Sequence, residues 1–169
     1  MLVTGAPGSG KTTLARPLAA TLGLPLLAKD TVKEALFDAL GVGDRGWSRR
    51  LGHASFEVLL AVAAEVPAAV VDANLWPEAA PRLRALGVPL VEVFCRCPAA
   101  EARRRFAARA SRRHPGHVDR LPSPEAMAAS AGPLVLGGPL LEVDTGRPAD
   151  VDAVASWVRA QAGVGGGPV

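Results

Sequence analysis

A glycine-rich segment near the start of the chain has the residue types and the spacing of a phosphate-binding loop (P-loop). Residues 5–12 read Gly-Ala-Pro-Gly-Ser-Gly-Lys-Thr and match G-x-x-x-x-G-K-[ST] at every fixed position. Glycines let the backbone point successive N–H groups at a phosphate, and the helix that follows adds partial positive charge. Lys11 supplies a point charge for the β- and γ-phosphates, and Thr12 supplies a hydroxyl ligand for Mg²⁺. The predicted nucleotide-binding residues are Gly5, Ala6, Pro7, Gly8, Ser9, Gly10, Lys11, Thr12 and, near the α-phosphate, Thr13.

The second half of the metal site is expected at the end of a buried strand. Residues 68–71 form an apolar run that is followed directly by Asp72. A carboxylate in this place can hold Mg²⁺ through water, because Mg²⁺ keeps several of its own waters. The alternative is that Asp72 caps a helix or closes a turn.

Asp30 is the candidate for an acceptor-side base. It follows the apolar run Leu26–Ala28, so it is predicted to end the second strand and open a helix. A carboxylate there can accept the proton of a hydroxyl that attacks phosphorus. The alternative is that Asp30 is an N-cap, which is compatible with the first role. Alternation along the strand would turn Lys29 to the opposite side, so Lys29 is predicted to be structural.

Positive charge is concentrated in one segment. Residues 96–120 contain eight of the 16 arginines and only two acids, a net +6, so the rest of the chain is about −3. Arg105 and Arg109 are four residues apart and share one helix face. A loop follows, and Arg113 lies in it. A mobile loop that bears arginines can bring positive charge to a transferring phosphate as a site closes.

Two other interpretations of these arginines remain open. A nucleic-acid backbone stripe is disfavoured because Phe106 is the only aromatic residue in the segment, so no stacking platform is evident. A solvated helix face is the favoured interpretation for Arg103 and Arg104. In the loop, His114 and His117 could contact phosphate or substrate.

The apolar pattern alternates between short strand-like runs and longer helix-like runs, which is typical of a parallel sheet covered on both faces. Each candidate residue follows a predicted strand, where ligands bind in such sheets. Strands are predicted at 1–4, 24–28, 68–73, 90–95 and 140–143. Helices are predicted at 11–22, 31–40, 48–65, 77–86, 98–110, 124–131 and 149–162.

Length and composition limit the class of protein. The 169 residues predict a single domain over residues 1–162, with a lid at about 110–124 and a flexible tail at 163–169. Apolar residues at 49% and charged residues at 21% exclude disorder over most of the chain. The sequence contains no run of 18 apolar residues, so it predicts no membrane span, and no secretory signal is recognisable. Two cysteines spaced C-x-C exclude a disulfide framework, which makes a reducing cytoplasm the default location.

Together, the P-loop, Asp30, Asp72, the helix with Arg105 and Arg109 and the segment 113–117 resemble the small P-loop kinases of the zeta-toxin and chloramphenicol phosphotransferase group, of the AAA-type ATP-binding kinases. The resemblance implies a three-layer α/β P-loop NTPase fold with a five-stranded parallel sheet in the order 2-3-1-4-5 and an Arg-rich lid. It also implies Mg²⁺-dependent transfer of the γ-phosphate of ATP, or alternatively GTP, to a hydroxyl. The base of that group maps onto Asp30, and its lid arginines map onto Arg105 and Arg109.

The acceptors of that group range from antibiotics to sugar nucleotides and polynucleotide ends, so none carries over. We therefore expect a kinase that acts on a hydroxyl-bearing small molecule such as an antibiotic, sugar or nucleoside, with Lys11, Asp30, Arg105 and Arg109 as catalytic residues. Two alternatives remain: a polynucleotide 5′-hydroxyl kinase, supported only by the arginine segment, and a P-loop ATPase that acts as a switch.

Overall fold

The computed structural model describes residues 1–118 and 123–163, which form a five-stranded parallel sheet. Its order is β2-β3-β1-β4-β5, which confirms the predicted α/β fold class and strand order. The strands are β1 (Leu2–Thr4), β2 (Leu26–Ala28), β3 (Val70–Asp72), β4 (Glu92–Arg96) and β5 (Leu140–Asp144).

Helices cover both faces of the sheet among the described residues. They are α1 (Lys11–Leu22), α2 (Lys29–Leu40), α3 (Arg45–Glu65), α4 (Ala80–Arg84), α5 (Ala99–Arg109), α6 (Pro124–Ala129) and α7 (Val151–Gly163). Two 3₁₀ turns, Pro77–Ala79 and Ala110–Arg112, precede α4 and follow α5. None of the helices in the described part of the chain is both long enough and apolar enough to cross a membrane.

Alternation along the short strands divides the core into two layers. Val3 of β1 points to the face where Leu14 and Leu18 of α1 pack with Val154 of α7. The preceding residue, Leu2, belongs to the opposite layer, which contains residues from α4 and the segment 134–136. Successive strand side chains point to opposite faces, so three residues of β1 are enough to anchor both layers.

Two helices begin earlier than the sequence pattern predicts, and this changes which residues face the site. The helix α2 begins at Lys29 rather than Thr31, because β2 ends at Ala28, its last residue paired with β3. The helix α3 begins at Arg45 rather than Ser48. Its N-cap is Asp44, whose side chain accepts a hydrogen bond from the Trp47 backbone N–H.

The other elements differ at their ends. The helix predicted at 77–86 is a 3₁₀ turn followed by α4, and the strand predicted at 90–95 is β4 at 92–96. The predicted lid, 110–124, falls partly outside the described residues, as does the tail from residue 164 onward.

A buried carboxylate fixes the strand that leads into the P-loop. Glu92 begins β4 and is 2% exposed. Its side chain accepts hydrogen bonds from the Thr4 hydroxyl at 2.7 Å and from the Leu134 backbone N–H at 2.9 Å. These bonds tie the end of β1 to the segment that covers one face of the sheet.

We expect Glu92→Ala to lower the free energy of unfolding by about 2 to 4 kcal/mol, because it leaves the Thr4 hydroxyl and the Leu134 N–H buried without acceptors. Urea denaturation measures the change. The matched control is Glu142→Ala on β5, where the carboxylate is exposed and lies 3.7 Å from Arg96. This control should cost less than about 1 kcal/mol. Equal losses in the two variants would contradict the anchoring role of Glu92.

Candidate functional site

The P-loop is shaped by glycines and packed directly against α5. Gly8 has a φ of +83°, and a Cβ atom at this position would lie 2.1 Å from the carbonyl oxygen of Ala102. Gly10 has a φ of +92° and is the N-cap of α1. A side chain is therefore excluded at Gly8 by both backbone conformation and space. The loop has the backbone form that a phosphate cradle requires.

Lys11 is held inside the loop. It is buried, and its Nζ donates hydrogen bonds to the carbonyl oxygens of Gly5 and Ala6, each at 2.9 Å. Burial lowers the pKa of Lys11, while the carboxylates of Asp72 and Asp30 oppose that shift. The ammonium group is thus fixed at the loop where the phosphates of a nucleotide would lie.

Thr12 and Asp72 form a pair of oxygen donors beside Lys11. The Thr12 hydroxyl donates a hydrogen bond to Asp72 Oδ2 at 2.6 Å. Burial raises the pKa of Asp72, and the bond from Thr12 and the charge of Lys11 act in the opposite direction. A hydroxyl and a carboxylate are hard oxygen ligands of the kind that Mg²⁺ takes, so this donor set fits the predicted metal.

Asp30 lies in the same cavity as these residues. The cavity, of about 610 Å³ and called here the first cavity, is lined by Lys11, Thr12, Asp30 and Asp72, among others. Asp30 is the second residue of α2, and the N-cap of that helix is Ala28. The N-cap interpretation of Asp30 is therefore wrong. Its exposed carboxylate is free to face a ligand in the cavity.

Lys29 also lines the first cavity, so the prediction that it turns away from the site is wrong. The physical reason is the early start of α2, which removes the strand alternation on which that prediction depended. Lys29 is 8% exposed, and its Nζ lies 4.8 Å from the centroid of the Trp76 ring. The pKa of Lys29 is lowered to about 8, chiefly by burial; Asp30 opposes this shift, and Lys33 adds to it.

The structure separates the two predicted arginines. Arg109 lines the first cavity, whereas Arg105 lines a second cavity of about 550 Å³ on the other side of the P-loop. The Arg105 guanidinium donates to Glu101 Oε1 at 2.6 Å, to the Thr145 carbonyl at 2.7 Å and to the Gly146 carbonyl at 3.1 Å. It therefore holds the turn after β5 and does not point into the cavity that contains Lys11.

Thr13 lines the second cavity. Arg109, Gly8 and Gly10 line both cavities. Arg113 lines the first cavity, with its guanidinium carbon 4.7 Å from the centroid of the Phe106 ring.

The segment after α5 docks on α2. His114 stacks on Phe37 with ring centroids 5.3 Å apart, and its Nε2 lies 3.1 Å from Asp38. His117 Nε2 lies 2.9 Å from Glu34. A Cβ atom on Gly116 would approach the Phe37 ring to 2.4 Å, so this glycine allows the close contact. Burial and then Arg113 lower the pKa of His117. Both histidines thus have protein partners that hold the segment across the cavity.

Three further cations line the first cavity: Lys33, Arg45 and Arg49. The sequence pattern placed Arg45 in a loop over the acceptor site, but sequence reasoning missed Lys33 and Arg49. Lys33 Nζ donates to the Ser48 hydroxyl at 3.0 Å and so joins α2 to α3. Lys29 and Lys33 are four residues apart on α2, and Arg45 and Arg49 are four apart on α3. This spacing would have indicated two basic helix faces, had the starts of both helices been known.

Comparison with known proteins gives a family and a set of similar folds. The sequence model of the AAA domain family matches residues 1–129. A protein of Chloroflexus aurantiacus J-10-fl, described as a putative kinase, is 37% identical, with a TM-score of 0.86. That match covers 95% of this chain and 96% of the other. Comparison with curated proteins gave no match.

Two more distant structures share the fold alone. A sugar kinase from Janibacter sp. HTCC2649 is 18% identical, with a TM-score of 0.60 over 97% of this chain and 94% of the other. Shikimate kinase from Acinetobacter baumannii, solved with shikimate, is 20% identical, with a TM-score of 0.60 over 96% of this chain and 92% of the other.

We expect Lys29→Met to raise the free energy of unfolding of the unliganded protein at pH 7 by about 1 to 3 kcal/mol, because it removes a buried cation. The folded protein releases this proton above about pH 8, while the unfolded chain holds it to about 10.5. The unfolded state then binds more protons, so the wild type gains stability relative to the variant as the pH rises from 8 to 10.

Urea denaturation of both proteins at pH 7 and pH 10 measures this difference. Arg103→Met is the control, because Arg103 is an exposed cation on α5 and should show no such pH dependence. A Lys29→Met difference that is the same at both pH values would contradict the burial cost assigned to Lys29.

Proposed function

The chain belongs to the AAA domain family, and from that premise we propose that it is a kinase that transfers the γ-phosphate of ATP to a hydroxyl of a small molecule. The observation that carries the proposal is that Lys11, Thr12, Asp72 and Asp30 line one cavity. The motif resemblance to zeta-toxin and chloramphenicol phosphotransferase kinases supports a hydroxyl as the acceptor. The likeness to the protein described as a putative kinase supports phosphoryl transfer.

In this proposal the nucleotide spans the P-loop. Its β- and γ-phosphates lie against the loop N–H groups and Lys11, at the N-terminus of α1. Its base and ribose lie in the second cavity, which Thr13, Thr145 and Arg105 border on the far side of the loop. Arg105 contributes there by holding the turn at Thr145 and Gly146 with its guanidinium.

The residues that would hold Mg²⁺ are Thr12 and Asp72, whose oxygens already lie 2.6 Å apart. When bound, Mg²⁺ would neutralise charge on the phosphate oxygens. Thr12 would then turn its hydroxyl oxygen from Asp72 to the metal, and the charge of the metal would offset the burial that raises the pKa of this carboxylate.

Asp30 acts as the acceptor-side base. The acceptor hydroxyl oxygen attacks the γ-phosphorus, the bond from that phosphorus to the bridging oxygen breaks, and ADP leaves. The hydroxyl proton passes to the Asp30 carboxylate. The position suits this role, because Asp30 lines the same cavity as Lys11, Asp72 and Lys29, and its charge influences the pKa values of all three.

Arg109 stabilises the charge that develops on the transferring group. It borders both cavities, and it affects the pKa of Lys11, so it lies near the phosphate end of the site. Arg113 lies in the docked segment and adds a second guanidinium to the first cavity. The histidine contacts with α2 hold this segment in place and help to exclude water from the reacting phosphate.

The alternatives predict different products. A polynucleotide kinase would phosphorylate a 5′-hydroxyl oligonucleotide, and a switch ATPase would form ADP without an acceptor. The first cavity, at about 610 Å³, has the size of a site for a small molecule, which favours the kinase proposed here. A screen with γ-labelled ATP over nucleosides, sugars, antibiotics, hydroxy acids and an oligonucleotide distinguishes the three. Label transfer to the oligonucleotide alone, or ADP formation with no labelled acceptor, would reject the proposal.

We expect Asp30→Asn to lower kcat for phosphoryl transfer by about 100-fold or more while Mg-ATP affinity stays within a few-fold, because the amide cannot accept the proton. Steady-state kinetics and calorimetry measure the two effects. The matched control is Asp152→Asn, because Asp152 is likewise the second residue of its helix, α7. It reports the loss of an acid at a helix N-terminus alone. Near-normal transfer by Asp30→Asn would rule out the base.

We expect Lys11→Ala to weaken nucleotide binding or turnover by about 100-fold or more, because it removes the cation fixed at the phosphate loop. Binding of Mg-ATP by calorimetry and turnover by ADP release are the measurements. Arg103→Ala serves as the control, since Arg103 is exposed and borders neither cavity. Unchanged kinetics in Lys11→Ala would remove the central claim.

A further inference from the structure

We propose that the acceptor of this kinase carries an anionic group, a carboxylate or a phosphate, which is bound by a basic wall formed by Lys29, Lys33, Arg45 and Arg49. The inference rests on the proposed function, because it concerns the second substrate of the same cavity. It names the chemical class of that substrate: a molecule with a hydroxyl to be phosphorylated and a negative charge elsewhere.

The basic wall is built by two helices that pack against each other. Lys29 and Lys33 lie one turn apart on α2, and Arg45 and Arg49 lie one turn apart on α3. All four line the first cavity. The hydrogen bond from Lys33 to Ser48, at 3.0 Å, crosses between the helices within this wall. Four cations thus converge on one side of the cavity, and the described residues of α2 and α3 that line it include one acid, Asp30.

The nucleotide does not account for this charge. Its phosphates are served by the P-loop amides, Lys11 and Arg109, and the pKa of Lys11 responds to Arg109, Asp72 and Asp30. The pKa of Lys29 responds instead to Lys33 and Asp30. The charge of Asp30 thus acts both on a cation of the P-loop and on a cation of the basic wall. In the proposed arrangement the P-loop cations serve the transferring phosphate, and the basic wall is left for the acceptor.

An anion bound by the basic wall would offset an electrostatic cost that the wall has in the unliganded protein. Lys29 is 8% exposed and packs over the Trp76 ring, and Lys33 lies close enough to repel it. Two ammonium groups this close repel one another in a partly desolvated wall, and a ligand of opposite charge offsets that repulsion. A carboxylate or phosphate supplies that charge and accepts several charge-assisted hydrogen bonds at once. A neutral polyol supplies neither the negative charge nor the charge-assisted hydrogen bonds.

The position of Asp30 gives the acceptor its orientation. Asp30 directly follows Lys29, at the boundary between the basic wall and the phosphate end of the cavity. An acceptor anchored on the wall by its anionic group would present a hydroxyl at this boundary, next to the base. The wall then selects the acceptor by charge, and Asp30 selects the hydroxyl by proximity.

The test compares three matched sets of acceptors that share a hydroxyl framework: neutral alcohols, the corresponding carboxylates and the corresponding phosphate monoesters. We expect kcat/KM to be at least about tenfold higher for one charged set than for the neutral set. The set that is preferred identifies the anion. Arg49→Ala should lower kcat/KM for that set by about tenfold, chiefly through KM, and change the neutral set by less than about threefold.

Arg50→Ala is the matched control, because Arg50 is the neighbouring arginine on α3 and does not line the cavity. Its guanidinium carbon lies 5.1 Å from the centroid of the Trp47 ring. This variant should change no set by more than about threefold. Equal kcat/KM for neutral and charged sets would overturn the basic wall while leaving the kinase in place. The basic wall would also be overturned if Arg49→Ala lowered kcat/KM equally for the neutral and the charged sets.

Calorimetry with Mg-ADP and each set measures binding without transfer. One possible outcome is that a charged set binds, that Arg49→Ala abolishes this binding, and that no set is phosphorylated. This outcome would support the anion site and reject the proposed kinase. If no set, charged or neutral, is bound or phosphorylated, both proposals are overturned.

Discussion

Parallel pairing of β1 and β2 with β3 is the constraint on which the site depends. Val3 and Ala28 are both paired with Asp72, so the carboxyl ends of three strands are level with one another. The P-loop follows β1, Asp72 ends β3, and α2 begins directly after β2. A shift of one residue in this register would turn Asp72 to the other face and separate it from Thr12. The buried Glu92 helps to hold the register by binding Thr4 and the segment at Leu134.

The site concentrates charge that the fold alone does not neutralise. Burial lowers the pKa values of Lys11 and Lys29 and raises that of Asp72. Each shift is a cost to the unliganded protein, because a buried ionic group is less stable than a solvated one. A bound nucleotide with its metal, and an acceptor, would supply the missing opposite charges. The buried charges that destabilise the unliganded site are thus the same charges that would bind the ligands, as is common in sites that are organised before the ligand binds.

The helix α5 and the segment after it connect the two cavities. Its backbone packs on Gly8, its Arg105 holds the turn after β5, and its Arg109 borders both cavities. The following segment reaches α2, where Gly116 and His114 pack on Phe37. Movement of this segment would therefore alter the first cavity, whereas Arg105 ties α5 to the turn that borders the second cavity.

The sequence by itself determined the P-loop, the order of elements and the helix α1 from Lys11 to Leu22, ended by Gly23. These features depend on local backbone chemistry: glycine conformations, capping and the period of apolar residues. Tertiary structure decided the rest of the site. The side that Lys29 faces depends on where the pairing of β2 with β3 ends. The Arg105 guanidinium is held by the carbonyl of Thr145, which lies 40 residues farther along the chain. The basic wall depends on how α2 packs on α3. Such contacts join residues far apart in the chain, so no local pattern specifies them.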